Sequence, residues 1–110
     1  MNRKARILFQ ERTAGILEET PEGYVFSYDD RYLNDPRSFP VSLTLPLRKE
    51  SFRSKTMIPF FDGLIPEGWL LDIATKNWKL NARDRMGLLL ACCKESIGAV
   101  SVIPLSSENA

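Results

Sequence analysis

Three stretches near the N-terminus read as strands, and the third of them sets its aromatic residues at a period of two. "ARILFQ" (5–10) and "AGILEE" (14–19) are separated by Glu11-Arg12-Thr13. That spacing predicts a hairpin with a short loop and Gly15 just inside the second strand. "GYVFSYDD" follows Pro21-Glu22-Gly23, a turn signal. In it Tyr24, Phe26 and Tyr28 share one face, and Val25 and Ser27 the other. Aromatic residues at every second position imply a sheet with one heavy hydrophobic face, connected most simply as an antiparallel meander. Residues 29–40, rich in Asp, Asn and Pro, read as a connector with one helical turn. "VSLTLPL" (41–47) reads as a short strand with Val41, Leu43 and Leu45 on one face, closed by Pro46. "RKESFRSK" (48–55) is basic with a single glutamate, and reads first as a solvated loop, second as a contact for a phosphate-bearing partner.

From residue 66 the period lengthens. Pro66 suits the first helical position, where its missing donor costs nothing, and Glu67 suits the positive helix end. Trp69, Leu70, Ile73, Ala74 and Trp78 then follow a 3.6-residue repeat. A second helix is expected from Asn81 as N-cap with Asp84 at the third helical position, a short version of a capping box. Met86, Leu89, Leu90 and Cys93 form its apolar stripe. Ile97-Gly98 ends it, "AVSVIP" reads as a final strand, and residues 105–110 as a frayed tail. The fold class is α+β: a mostly antiparallel sheet, with an N-terminal meander plus later strands, packed with two helices of the C-terminal half. Residues 1–104 make one domain.

Composition narrows the chemistry. A chain of 110 residues with 44% hydrophobic and 26% charged residues has the profile of a folded single domain. Its net charge of +1 supplies no global field for nucleic acid or an acidic membrane. Histidine is absent, which removes the commonest general base, the commonest metal ligand and every imidazole-dependent triad. Cys92 and Cys93 are adjacent in an apolar run, poorly placed to pair with each other or to make a zinc site. They read as small core residues in a reducing compartment. Gly63 and Gly68 lack the lysine and hydroxyl of a phosphate loop. "FFDG" has the wrong order for a kinase metal-binding motif. The pairs Glu18-Glu19 and Asp29-Asp30 read as solvated. The basic N-terminus precedes only Ile7-Leu8-Phe9, too short for the apolar part of a signal peptide, and no run approaches a membrane span. The expectation is a cytoplasmic protein without enzymatic activity, metal or cofactor, and without direct nucleic-acid contact.

What remains is "FFDGLIPEGWLLDIATKNW" (60–78), which holds both tryptophans of the chain. Tryptophan combines large area, few rotatable bonds and a ring N–H, the properties of an interface anchor. Trp69 directly follows Gly68, which clears space beside it, and Pro66 fixes the approach. Trp69 is therefore the first candidate for partner binding, supported by Phe61, Leu64, Pro66, Glu67, Gly68 and Leu70. The competing reading places Trp69 in the core with Ile73, four residues on, and Trp78 likewise. Phe60 and Phe61 point opposite ways if extended, one to the core and one outward.

The ordered set "SLTLPL" (42–47), "FFDGLIPEGW" (60–69) and "DRMGLLLACCKESIGAV" (84–100) resembles the N-terminal subdomain of HipA-family serine/threonine kinases. The resemblance covers about residues 5–104, with "CCKESIG" departing from the usual approach to the final Gly-Ala-Val. A separate subdomain of this kind resembles HipS-type small components of three-part HipBST toxin–antitoxin systems. That resemblance implies an antitoxin that binds and inhibits a HipT-like kinase, with a HipB-like DNA-binding repressor in a ternary complex. Two further readings stand beside it: an adaptor that bridges kinase and repressor without inhibiting, and a detached fragment of a degenerate kinase gene.

Overall fold

The structure, a computed structural model, describes residues 3–65, 84–92 and 99–105. Its frame is a five-stranded antiparallel sheet. The strands are β1 (Lys4–Phe9), β2 (Arg12–Thr20), β3 (Gly23–Tyr28), β4 (Phe52–Ser54) and β5 (Val100–Leu105), in the spatial order β4-β3-β2-β1-β5. Among the described residues three helical segments accompany it: α1 (Asp30–Asn34), α2 (Pro59–Asp62) and α3 (Arg85–Cys92). The α+β class and the N-terminal meander are as the alternation predicts.

The first hairpin turns more tightly than expected. Phe9 pairs with Arg12, so Gln10 and Glu11 alone make the turn, both at positive φ (51° and 69°). Positive φ at both central positions is the backbone twist that two-residue hairpins need. The residue missing from the loop reappears as a bulge: Ile7 opposes Gly15 and Leu8 opposes Thr13, leaving Ala14 unpaired. Ala14 is fully buried, and its carbonyl accepts from Asp29 N–H at 2.7 Å.

One face of the sheet carries the core. Ala5, Ile7, Leu17, Phe26, Tyr28, Val100 and Val102 are buried there, and Met86, Leu88 and Leu89 of α3 are buried in the same cluster. Each large apolar side chain buried this way contributes about 1.5–3 kcal/mol. The α3 stripe is shifted from the expected one: Leu88 is fully buried, while Leu90 is only partly so. Asn81 and Cys93 lie outside the described residues. The cap of α3 is Asp84 itself, one position before the helix. Its carboxylate accepts from Gly87 N–H at 3.1 Å and its carbonyl from Leu88 N–H at 3.0 Å.

Arg3 ties that cap to the sheet. Its guanidinium donates to both oxygens of Glu19 (2.7 and 2.9 Å) and both of Asp84 (2.7 and 3.0 Å). The two carboxylates raise the arginine's pKa, and the bond from Arg3 holds the Asp84 carboxyl below its ordinary value. Gly87 stands where this pair needs room: a Cβ there would lie 2.4 Å from the Asp84 carboxylate.

The stretch 41–47 is not the strand that its alternation predicts. Ser42 and Leu45 form an isolated bridge around a tight turn, closed by Leu45 N–H donating to Ser42 carbonyl at 3.0 Å. Val41 and Leu45 are buried, but Leu43 is 97% exposed. The fourth strand comes instead from the basic stretch, where Phe26 pairs with Phe52 and Tyr24 with Ser54. β5 runs on to Leu105, which pairs with Lys4; residues 106–110 lie outside the described residues.

Candidate functional site

Aromatic side chains on the sheet's inner face pack against α2, the described start of the aromatic segment. Phe26 lies edge-on to Tyr28 (4.9 Å between ring centres) and to Phe61 of α2 (5.2 Å). Phe61 in turn meets Phe60 edge-on at 5.2 Å. Such pairs prefer these tilted arrangements because the electron-poor ring edge faces an electron-rich ring face. The short α2 follows from sequence: Pro59 starts it, and Asp62 and Gly63 donate back to Ile58 and Pro59 carbonyls, each at 2.9 Å. Because it is a helical turn and not a strand, Phe60 and Phe61 separate by about 100°. Phe61 is fully buried and Phe60 partly so. Phe61 therefore supports the surface from below and is not itself presented to a partner.

Leu64 is half-buried against the core, with its N–H donating to the Phe61 carbonyl at 3.0 Å. Ile65, next to it, is buried. On the far side of the tryptophan segment, Arg85 of α3 donates to Asp62 of α2 at 2.7 Å. This pairing brings together the two described ends of the stretch that carries both tryptophans. Pro66, Glu67, Gly68, Trp69 and Leu70 lie outside the described residues, as does Trp78.

A second feature beside α2 is invisible in the sequence pattern. Tyr28 and Tyr32 stack in parallel, with ring centres 6.0 Å apart, and both turn their hydroxyls onto the loop 39–45. Tyr28 accepts from Val41 N–H at 3.0 Å and donates to the Leu45 carbonyl. Tyr32 donates to the Phe39 carbonyl at 2.6 Å. Burial raises the Tyr28 pKa, while the bond from Val41 opposes the rise. The loop so held carries the two large apolar side chains that stand exposed among the described residues, Phe39 (63%) and Leu43 (97%). Between it and α2 lies a groove of about 290 Å³ lined by Thr44, Leu45, Phe52, Arg53, Ser54, Ile58 and Pro59. No alternation rule separates Leu43 from a core strand residue, because Val41 and Leu45 on either side of it are core residues.

Among the described residues no group of three or more Cys, Asp or Glu could hold a metal ion, and no helix is long and apolar enough to cross a membrane. The carboxylates with displaced pKa values, Asp35 and Asp84, are held low by hydrogen-bond donors, Arg37 and Arg3 respectively. General acid work needs the opposite shift.

Comparison with known proteins gives the fold a family. The HipA N-terminal domain family matches residues 5–103. An uncharacterized protein of Haemophilus influenzae is 30% identical over 100 residues, covering 91% of each chain. The protein named "Putative kinase Y4mE" of Sinorhizobium fredii is 26% identical over 107 residues, which span 96% of this chain and 26% of that one. A solved structure, the N-terminal domain of HipA toxin, superposes with a TM-score of 0.69 at 27% identity, covering 96% of this chain and 94% of the other. The chain belongs to the HipA N-terminal domain family.

Proposed function

We propose that this HipA N-terminal domain works in trans, as a non-enzymatic antitoxin subunit that binds a HipT-like kinase and inhibits it. One observation carries the reading. The same domain makes up a quarter of a protein named as a kinase and nearly the whole of a Haemophilus influenzae relative. A domain found both joined to a kinase and apart from one has a ready partner, the kinase surface it covers when joined. That the solved relative is the N-terminal domain of a toxin supports placing that partner in a toxin–antitoxin system, with a HipB-like repressor as third member.

The segment 60–70 supplies the contact. Phe61 and Ile65 fix its first residues in the core, and Trp69, the anchor, follows Pro66, Glu67 and Gly68, with Leu70 beyond. A separate subunit must overcome the entropy of association, and a buried tryptophan often contributes about 2 kcal/mol or more. Placed at the kinase cleft, the Trp69 ring obstructs nucleotide or substrate.

The test is a kinase assay on a HipT-like kinase from the same genome, with wild-type chain and Trp69→Ala titrated in and binding followed in the same samples. Inhibition by wild type that is lost in the variant is the expected result. Binding without inhibition assigns the chain to bridging kinase and repressor instead. Absence of binding refutes the kinase as partner.

A further inference from the structure

The turn at Ser42–Leu45 holds a leucine in water, and the fold fixes it there. Val41 N–H and the Leu45 carbonyl, on either side of Leu43, both bond to the buried Tyr28 hydroxyl. Leu45 N–H closes the turn on Ser42, and the Ser42 hydroxyl accepts from Thr44 N–H at 3.2 Å. The exposed side chain thus projects from a backbone whose ordering cost is already met in the free protein, the condition under which an apolar contact yields most affinity.

The groove beside it is apolar at its base, with Leu45, Phe52, Ile58 and Pro59, and basic at its rim. Arg53 lines it directly, and Arg48 lies over the Phe52 ring at 3.8 Å. Lys49 and Lys55 are exposed on the same stretch, where Glu50 is the one acidic residue. Pro59, at the groove's edge, is also the first residue of α2, so this surface is continuous with the start of the aromatic segment.

We propose that this turn and groove form a second contact on the kinase partner, with Leu43 entering an apolar site and the groove receiving an apolar side chain flanked by carboxylates. The proposal rests on the kinase being the partner. It is separate from the role of Trp69, because it uses a different part of the chain.

The experiment measures binding of a HipT-like kinase from the same genome, immobilised, to wild type, Leu43→Asp, Arg53→Glu and Trp69→Ala over a range of salt. Melting temperatures of the free variants are recorded alongside. Leu43→Asp is expected to weaken binding about tenfold or more, as loss of an anchor does. Arg53→Glu should mainly slow association and flatten its salt dependence. Both variants should melt within about 2 °C of wild type, as exposed substitutions do. Wild-type binding by Leu43→Asp overturns the second contact while leaving the partner in place. A large fall in melting temperature makes Leu43 a structural residue and overturns it too. Loss of self-association in sedimentation, with kinase binding intact, assigns the face to a second copy of the chain and refutes the kinase as its occupant. If wild type itself fails to bind, the partner assignment falls and this contact with it.

Discussion

Tyr28→Phe removes one oxygen atom and tests how the exposed turn is held. The ring stays, with its contacts to Phe26, Tyr32 and Phe52, so hydrophobic burial is unchanged. What is lost is the partner of two main-chain groups, Val41 N–H at 3.0 Å and the Leu45 carbonyl, both in buried bonds. Each buried group left bare costs about 1–3 kcal/mol, so the total for the two is about 2–6 kcal/mol. Tyr32→Phe is the matched control. Its hydroxyl bonds Phe39 in a part-buried setting, at 2.6 Å to the carbonyl and a weak 3.4 Å from the N–H. Water can replace it there, and the expected cost is about 1 kcal/mol. Urea unfolding followed by far-ultraviolet circular dichroism measures both, with the slope m unchanged if only the native state is affected. The reasoning is refuted if Tyr28→Phe costs under about 0.5 kcal/mol, or no more than Tyr32→Phe, since that would mean water reaches the turn's interior.

The same unfolding measurement separates the two neighbouring phenylalanines: Phe61→Ala should cost about 3–5 kcal/mol, as for a fully buried ring, and Phe60→Ala distinctly less. Acid stability should depend on Asp84, whose carboxyl is depressed by Arg3. Its contribution is present above the usual carboxylate pKa of about 3.9 and lost as pH falls through the lower folded-state value, and Asp84→Asn should flatten that limb of a melting-temperature titration. On the alkaline side Tyr28 is raised by burial, so its contribution is present up to about pH 10 and lost as pH climbs above it, a loss that Tyr28→Phe should abolish.

The strands with period-two alternation were legible because each pairs within a sheet that has one dry face. Tyr24, Phe26 and Tyr28 face it together, with Phe26 and Tyr28 buried and Tyr24 packed at the edge. The same rule misread 41–47, and the reason lies outside that segment: the groups that a strand would offer to a ladder are taken by a tyrosine hydroxyl from β3. It also passed over 52–54, where Arg53 and Ser54 look solvated but sit on an edge strand with one side in water. Gln10 and Glu11 carry no glycine or asparagine, so the hairpin's length was hidden along with the bulge that compensates it. The candidate site was half legible. Its apolar richness is plain from the sequence, but the division of labour between Phe60 and Phe61 depends on α2 being helical. Leu43 is exposed through a contact made by Tyr28, fifteen residues earlier in the chain.

The sheet places its last strand against its first, with Phe9 beside Val100 and Lys4 beside Leu105. The meander of β1, β2 and β3 joins neighbours in the chain, so it can assemble as soon as it is made. β1, however, keeps an open edge until β5 exists. At ribosomal speeds of roughly 5–20 residues per second, that is a wait of several seconds during which the outer-edge backbone donors and acceptors of a six-residue strand are available to any other strand. Closure by β5 also brings α3 onto the sheet, and with it the Arg3 bridge to Asp84. The order of synthesis thus makes the final strand the commitment step: a nascent chain has its first three strands early, but completes its sheet and seats α3 against it only after β5 has docked.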